Sequence, residues 1–121
     1  MRGLGWIYLG EDQAKGTVSR VGFGPSLEVN VSDILALYGP PDSLFIYSEG
    51  TPEHPLVDAR LVFNDTSMIL GLPYEEGFFY TLDPGDDVLT ANYFDTAQFS
   101  ANTALMERYS QPWNGYERYE P

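Results

Sequence analysis

One stretch of alternating side chains constrains the fold of this 121-residue chain more than any other feature. Within residues 57–64 one side carries Val57, Ala59, Leu61 and Phe63, and the other carries Asp58, Arg60, Val62 and Asn64. Successive side chains of a β-strand point to opposite faces of a sheet, so this spacing predicts a strand with one buried face. Turn-forming residues follow at 64–67 and a second apolar run follows at 68–72, which predicts an antiparallel hairpin.

Other runs of β-forming residues extend this expected sheet. Residues 43–48 are apolar on both sides, as in a central strand that is covered on each face. Residues 4–9 and 17–23 are two further candidate strands near the start of the chain. A second hairpin is predicted with arms at 78–82 and 87–94. Its turn would be type II, because Pro84 presets the first central φ and Gly85 accepts the positive φ that follows.

Two helices are expected beside the sheet. Ser32 is predicted as the N-cap of a short helix over about 32–38, which Gly39 and two prolines end. A second candidate helix spans about 97–108, where small and apolar residues recur at helical spacing. The tail 111–119 carries three large aromatic side chains, which predicts that it packs back on the sheet. The fold is therefore expected to be α+β, a twisted antiparallel sheet of about six to seven strands in a single domain over residues 1–121.

Composition excludes several classes of function. The chain has no Cys, which removes thiolate catalysis, zinc–thiolate sites and disulfide frameworks. Asp and Glu number 18 against 6 Lys and Arg, and residues 61–107 contain no Lys, Arg or His. A net charge of −12 repels phosphates, so direct binding to nucleic acid or to an anionic membrane surface is not expected. No run of about 18 apolar residues exists, so no membrane insertion is expected.

No motif in the chain specifies a reaction. His54 is the single histidine and lies in a proline-bounded loop, without a nucleophile motif such as Gly-x-Ser-x-Gly elsewhere. The doublets Glu75-Glu76 and Asp86-Asp87 do not by themselves supply the facing carboxylates of a glycosidase, since neighbouring side chains diverge. No phosphate-binding glycine loop is present. We therefore expect neither catalysis nor a cofactor; a small hydrolase with two convergent acids is the enzymatic rival.

An acidic turn is the one candidate for metal binding. Asp83, Asp86 and Asp87 lie close together in the sequence, and clustered carboxylate oxygens are ligands that calcium prefers. The turn lacks the Asp-x-Asp-x-Asp-Gly pattern of an EF-hand loop. It predicts at most a weak calcium site.

The aromatic residues carry the functional prediction. Nine Tyr, seven Phe and two Trp exceed what one small core hides, and exposed rings are enriched at protein interfaces. Four of them are predicted to reach the surface, Tyr74, Phe79, Tyr116 and Tyr119; together with Trp113 they form the predicted binding set. The expected function is binding of a protein partner, a basic one, through an aromatic and acid-rimmed surface. Two alternatives stay open: a carbohydrate-binding module that uses the same rings, and an acidic mimic of nucleic acid that inhibits a basic groove.

One local unit resembles a group of exported bacterial proteins. Residues 27–46 contain a capped short helix, the step Gly39-Pro40-Pro41-Asp42 and an aromatic strand, and Trp113-Asn114-Gly115-Tyr116 lies near the end. This combination is similar to uncharacterised exported bacterial domains, and the unit more distantly resembles the BamE/SmpA lipoproteins of outer-membrane assembly. The resemblance implies an antiparallel α+β fold and a role in contact with proteins or the envelope, without a catalytic residue. Because strand-like residues follow Met1 directly, we expect a domain trimmed from a longer protein, with an extracytoplasmic location.

Overall fold

The protein is described here by a computed structural model that covers residues 6–12, 17–24 and 29–121. Over these described residues, two helices and ten strands follow one another in chain order: β1 (Trp6–Asp12), β2 (Thr17–Gly24), α1 (Val31–Tyr38), β3 (Ser43–Gly50), β4 (Pro55–Phe63), β5 (Met68–Gly71), β6 (Glu75–Glu76), β7 (Tyr80–Thr81), β8 (Thr90–Phe94), α2 (Thr96–Met106), a 3-10 turn (Glu107–Tyr109), β9 (Ser110–Pro112) and β10 (Arg118–Tyr119). Residues 4 and 5 of the predicted first strand lie outside the described residues.

The strands form one large antiparallel sheet and one small ribbon. Neighbours in the large sheet follow the order β1-β2-β8-β5-β4-β3-β9, and β6 pairs with one end of β4. The ribbon consists of β7 and β10. Helix α1 packs on one face of the sheet and α2 on the other. The predicted α+β class with an antiparallel sheet is therefore confirmed.

The hairpin predicted from alternating residues is present. Strands β4 and β5 pair antiparallel, with Phe63 opposite Met68 and Arg60 opposite Gly71. All four alternating apolar residues of β4 are buried, as predicted. The prediction of a single buried face is too simple, because Val62 and Asp58 on the other face are also buried. Helix α2 covers Val62 through Phe99.

Two apolar clusters lie on the two faces of the sheet. The larger one joins the sheet to α1, to residues 72–88 and to the C-terminal segment. The smaller one joins the sheet to α2 and consists of Phe45, Val62, Ile69 and Phe99, with Phe94, Met106 and Tyr109 at its margin. This double covering explains why residues 44–46 of β3 are all buried, as their apolar character on both sides predicted.

The N-cap of helix α1 lies two residues before the predicted one. Asn30, not Ser32, is the N-cap: its side-chain oxygen accepts from the Asp33 amide (3.0 Å), and the Asp33 carboxylate accepts from the Asn30 amide (3.1 Å). This reciprocal pair is a capping box. Ser32 lies inside the first turn and donates its hydroxyl to Asn30 (2.7 Å). The predicted end is confirmed, since Gly39 adopts a φ of 78° that few other residues tolerate.

The predicted second hairpin is wrong. Arms 78–82 and 87–94 do not pair with each other: β7 pairs with β10, and β8 lies between β5 and β2. The chain does turn at Pro84, where the Asp86 amide donates to the Asp83 carbonyl (3.1 Å), but Gly85 has no positive φ and the turn is not type II. The turn instead binds α1, because its Pro84 carbonyl accepts from the Ser32 amide (3.0 Å).

Candidate functional site

The β7–β10 ribbon brings most of the predicted binding residues together. Arg118 lies opposite Thr81, and its guanidinium carbon is 4.6 Å from the ring centre of Phe79. Trp113 and Tyr116 meet edge to face, with ring centres 5.7 Å apart. We call the exposed rings around this ribbon, Phe78, Phe79 and Tyr116, the aromatic patch. Their exposed fractions are 73%, 40% and 41%. Trp113 is half-buried and packs against the larger core.

Tyr119 does not reach the surface, so that prediction is wrong. It is only 2% exposed and belongs to the larger core. Its hydroxyl donates to the Gly115 carbonyl (2.6 Å) and accepts from the Asn114 amide (3.0 Å). The Tyr119 hydroxyl thus has both a donor and an acceptor partner inside the protein, so burying it costs little free energy. Tyr119 therefore holds the turn that carries Tyr116, and it does not itself offer a contact surface.

The loop that carries Phe78 and Phe79 is fixed at several points. The Thr81 amide donates to the Glu75 carboxylate (2.9 Å), and the Gly77 amide donates to the Pro55 carbonyl (2.9 Å). Phe78 was not among the predicted residues. The exposure of Phe78 could have been predicted from its position after a glycine and beside Phe79, because two adjacent rings in so short a loop do not both fit one core. The aromatic patch is therefore presented by an ordered backbone.

Acidic side chains gather next to this loop. Burial raises the pKa of Glu75 above its usual range, and the charges of Asp86 and Asp83 raise it further. Burial likewise raises the pKa of Asp86, with added repulsion from Asp83 and Asp87. The Asp86 carboxylate accepts from the Asp83 amide (2.9 Å). Within the described residues no group of three or more potential ligands has an arrangement that would hold a metal ion, the predicted calcium turn included.

Tyr74 belongs to a different feature, a groove of about 280 Å³ between α2 and the sheet. Tyr74 is 54% exposed and forms part of the rim. The Glu49 carboxylate raises the pKa of Tyr74, chiefly through its charge. Leu89, 53% exposed, also lines the groove. The predicted binding residues that reach the surface are thus divided, with Tyr74 on the groove and Phe79 and Tyr116 around the ribbon.

Asp58 lies in the floor of this groove and is the functional candidate that the sequence did not reveal. It is a charged residue with only 4% of its surface exposed. The Tyr47 hydroxyl donates to Asp58 Oδ2, and Arg60 Nε lies 3.6 Å from the same oxygen. Burial, followed by this hydrogen bond, raises the pKa of Tyr47. The period-2 pattern placed Asp58 on an open polar face, and only the contacts of α2 and Tyr47 reveal that it is covered.

His54 lies in an exposed loop between β3 and β4, as the prediction of a proline-bounded linker implied. Its backbone amide donates to the Thr51 carbonyl (3.0 Å). Glu53 and Glu76 lie with it in a shallow cleft.

No protein-family model, curated protein or solved structure matches this chain. Among the described residues, neither helix combines the length and the apolar character that crossing a bilayer requires.

Proposed function

We propose that this chain is a non-catalytic binding domain that recognises a basic protein partner through the aromatic patch. The observation that carries the proposal is the exposure of three rings on backbone that internal hydrogen bonds hold in place. Phe78, with 73% of its surface exposed, contributes little to the core. Clustered exposed apolar residues are uncommon on monomeric proteins and mark surfaces that bind a partner.

The ordered backbone favours affinity as well as exposure. A ring that is already positioned loses little conformational entropy when a partner covers it. Burying one Phe side chain contributes about 1.5–3 kcal/mol, so two or three rings are enough to anchor an interface. Arg118 lies over the Phe79 ring, with its guanidinium carbon 4.6 Å from the ring centre. The patch therefore has the character of a binding hot spot.

The charge around the patch favours a basic partner. Glu76 precedes Phe78 by two positions, and Glu117 and Glu120 flank the second strand of the ribbon. All three acids are exposed, whereas Arg118 is the one Lys or Arg between residues 109 and 121. Complementary charge of this kind accelerates encounter and fixes the orientation of the partner.

The orientation of the rings favours a protein ligand over a sugar. Trp113 and Tyr116 meet at 83°, so these two rings do not share the plane on which a sugar ring would stack. Perpendicular rings present edges and faces together, which suits the irregular surface of a protein.

The test compares three immobilised proteins in cell extract at low salt. The patch variant carries Phe78→Ser and Tyr116→Ser. The control variant carries Leu37→Ser and Leu105→Ser, which remove two other exposed apolar side chains, each 78% exposed. We expect a basic protein to be captured by the wild type and the control and lost by the patch variant. Equal capture by all three proteins would contradict the proposal.

The same material tests the two rival functions. A glycan array that binds the wild type and fails with Trp113→Ala would support the carbohydrate-binding module. Capture of a nucleic-acid-binding protein that DNA displaces, with no effect of the patch variant, would support the acidic mimic.

A further inference from the structure

The groove between α2 and the sheet has the construction of a small-molecule site. Its volume of about 280 Å³ lies near the lower end of known ligand pockets, which begin at about 300 Å³. Apolar side chains, including Ile69, Leu89 and Met106, line about half of it, and among the polar residues Asp58 and Arg60 supply charge. Apolar walls with a few converging polar groups are typical of sites that bind small organic ligands.

One oxygen of Asp58 remains available to a ligand. Both contacts of this carboxylate, with the Tyr47 hydroxyl and with Arg60 Nε, are made by Oδ2. In the part of the chain that the structure describes, Oδ1 makes no hydrogen bond, yet no buried side-chain oxygen there lacks a partner. Oδ1 is therefore not sealed in the interior but faces the groove that Asp58 lines. Burying a charge costs free energy, yet Asp58 is only 4% exposed and its Oδ1 has no hydrogen-bond partner among the described residues. A ligand that donates to Oδ1 would account for this arrangement.

The charges near the groove favour a cation. Arg60 compensates Asp58, but it is partly withdrawn toward the Tyr47 ring, whose centre lies 5.7 Å from its guanidinium carbon. Glu49 adds a second carboxylate next to Tyr74 on the rim. The groove lining itself carries one acid and one base, so the excess negative charge comes from Glu49 beside the rim. An anionic ligand would meet repulsion here, whereas an ammonium group would be attracted.

We propose that this groove binds a small organic cation, an ammonium group on an apolar body of about ten non-hydrogen atoms. The ammonium donates to Asp58 Oδ1, and the apolar body lies between Leu89 and Met106. This inference is independent of the aromatic patch, which lies around the ribbon, and goes beyond the proposed function.

The probes are matched in shape and differ in charge. We would titrate the isotope-labelled protein with 2-phenylethylammonium, with 2-phenylethanol and with 3-phenylpropionate at millimolar concentration, and follow backbone amide shifts. The ammonium is expected to shift the amides of Gly71, Leu89 and Asn102, which line the groove. A charge-assisted hydrogen bond predicts binding at least about tenfold tighter than that of the alcohol. The propionate is expected not to bind.

Two variants test the location of the ligand. Asn102 lines the groove from α2, so Asn102→Phe fills the site and is expected to abolish binding. Ala101→Phe adds the same ring at the neighbouring, exposed position of α2 and is expected to leave binding unchanged. Asp58→Asn removes the charge at nearly constant shape, and the ammonium is then expected to bind no better than the alcohol.

Several results would overturn the proposal. One is the absence of groove shifts with the ammonium probe. A second is equal affinity for the ammonium and the alcohol, which would leave Asp58 without a role. A third is unchanged binding in Asn102→Phe, which would place the cation elsewhere on the acidic surface. If Asp58→Asn unfolds, the Asn102→Phe and Ala101→Phe pair still decides the question. Failure of the groove proposal would not bear on the aromatic patch, because Phe78→Ser and Tyr116→Ser change residues that do not line the groove.

Discussion

At the scale of single residues, three tyrosines that are buried or half-buried have their hydroxyls hydrogen-bonded inside the protein. Tyr80 donates to the Pro73 carbonyl (2.9 Å) and Tyr119 to the Gly115 carbonyl, and both rings are 2% exposed. Tyr47 donates to Asp58 and is half-buried. A tyrosine whose hydroxyl is satisfied internally can bury its ring at little cost. The rings of Tyr74 and Tyr116 stay exposed, as does that of Tyr38, although its hydroxyl is hydrogen-bonded to that of Tyr93 (2.9 Å).

The first prediction concerns the hydrogen bond of Tyr47. Tyr47→Phe removes the hydroxyl that partners the buried Asp58 carboxylate, and is expected to lower the free energy of unfolding by about 1–2 kcal/mol. Urea denaturation measures this loss. Tyr116→Phe, which removes the hydroxyl of an exposed tyrosine, serves as the control and is expected to cost less than about 0.5 kcal/mol. Equal effects of the two variants would show that the Asp58 contact does not stabilise the protein.

The second prediction concerns pH. The folded-state pKa of Glu75 is raised by burial, so the folded state holds this proton more tightly than the unfolded chain does. The stability linked to this proton is complete below the ordinary glutamate pKa of about 4.3 and is lost as pH rises through the raised value. Glu75→Gln, which can still accept from the Thr81 amide, is therefore expected to raise the unfolding midpoint temperature at neutral pH and not under acidic conditions.

The control for this prediction is Glu76→Gln, its exposed neighbour. Because Glu75 is only partly buried and keeps contact with solvent, the expected gain at neutral pH is below about 1 kcal/mol. Thermal unfolding followed by circular dichroism at several pH values gives both curves. The account of Glu75 fails if its substitution and that of Glu76 have the same pH dependence.

Prediction from the sequence was right at single residues where the pattern was local, since alternating residues identify the buried face of β4. The predicted exposure of Tyr116 is also confirmed. The burial of Asp58 and Tyr119 could not be predicted, because it depends on partners distant in the chain or on a turn geometry that no sequence spacing encodes. Both are polar groups whose environment is set by the tertiary fold.

At the scale of elements, α1 is short and is held by its first turn. The Asn30 side chain caps it, and the turn at 83–86 accepts the amides of Val31 and Ser32 (2.9 and 3.0 Å). A helix of two turns is not stable alone, so these bonds and its packed face keep it in place. The same turn had been predicted to close a hairpin. Proline and glycine predicted that the chain reverses there, but strand pairing was decided by β5 and β10, which offer partners to β8 and β7.

The third prediction tests the cap. Asn30→Ala removes the acceptor for the Asp33 amide and is expected to lower the free energy of unfolding by about 1 kcal/mol. Asn30→Ser preserves a capping oxygen and is expected to retain most of the stability. Chemical denaturation of the two variants gives the difference. A loss of equal size for Ala and Ser would assign the effect to something other than the capping oxygen.

At the scale of the whole molecule, a strongly acidic protein carries a small group of exposed aromatic side chains. The net charge of −12 keeps like molecules apart and attracts basic ones, while the patch supplies apolar contact area. Fold class could be predicted from the sequence because the strands are amphipathic or wholly apolar over several residues. The division of the aromatic residues between ribbon and groove could not, since it depends on which strands pair.

The fourth prediction follows from the separate roles expected of the net charge and of the aromatic patch. Raising the salt concentration is expected to slow association with the captured basic partner, because screening removes the steering. Phe78→Ser is expected to accelerate dissociation instead, because it removes an anchor. Surface plasmon resonance separates the two rates. An association rate that does not respond to ionic strength would rule out electrostatic steering.

Amide hydrogen exchange of the complex against the free protein shows whether the aromatic patch is the binding surface. Slower exchange is expected over residues 76–81 and 115–119 on partner binding, with the exposed face of α1 unchanged. Protection confined to α1, to α2 or to the groove, with none at the ribbon, would contradict it.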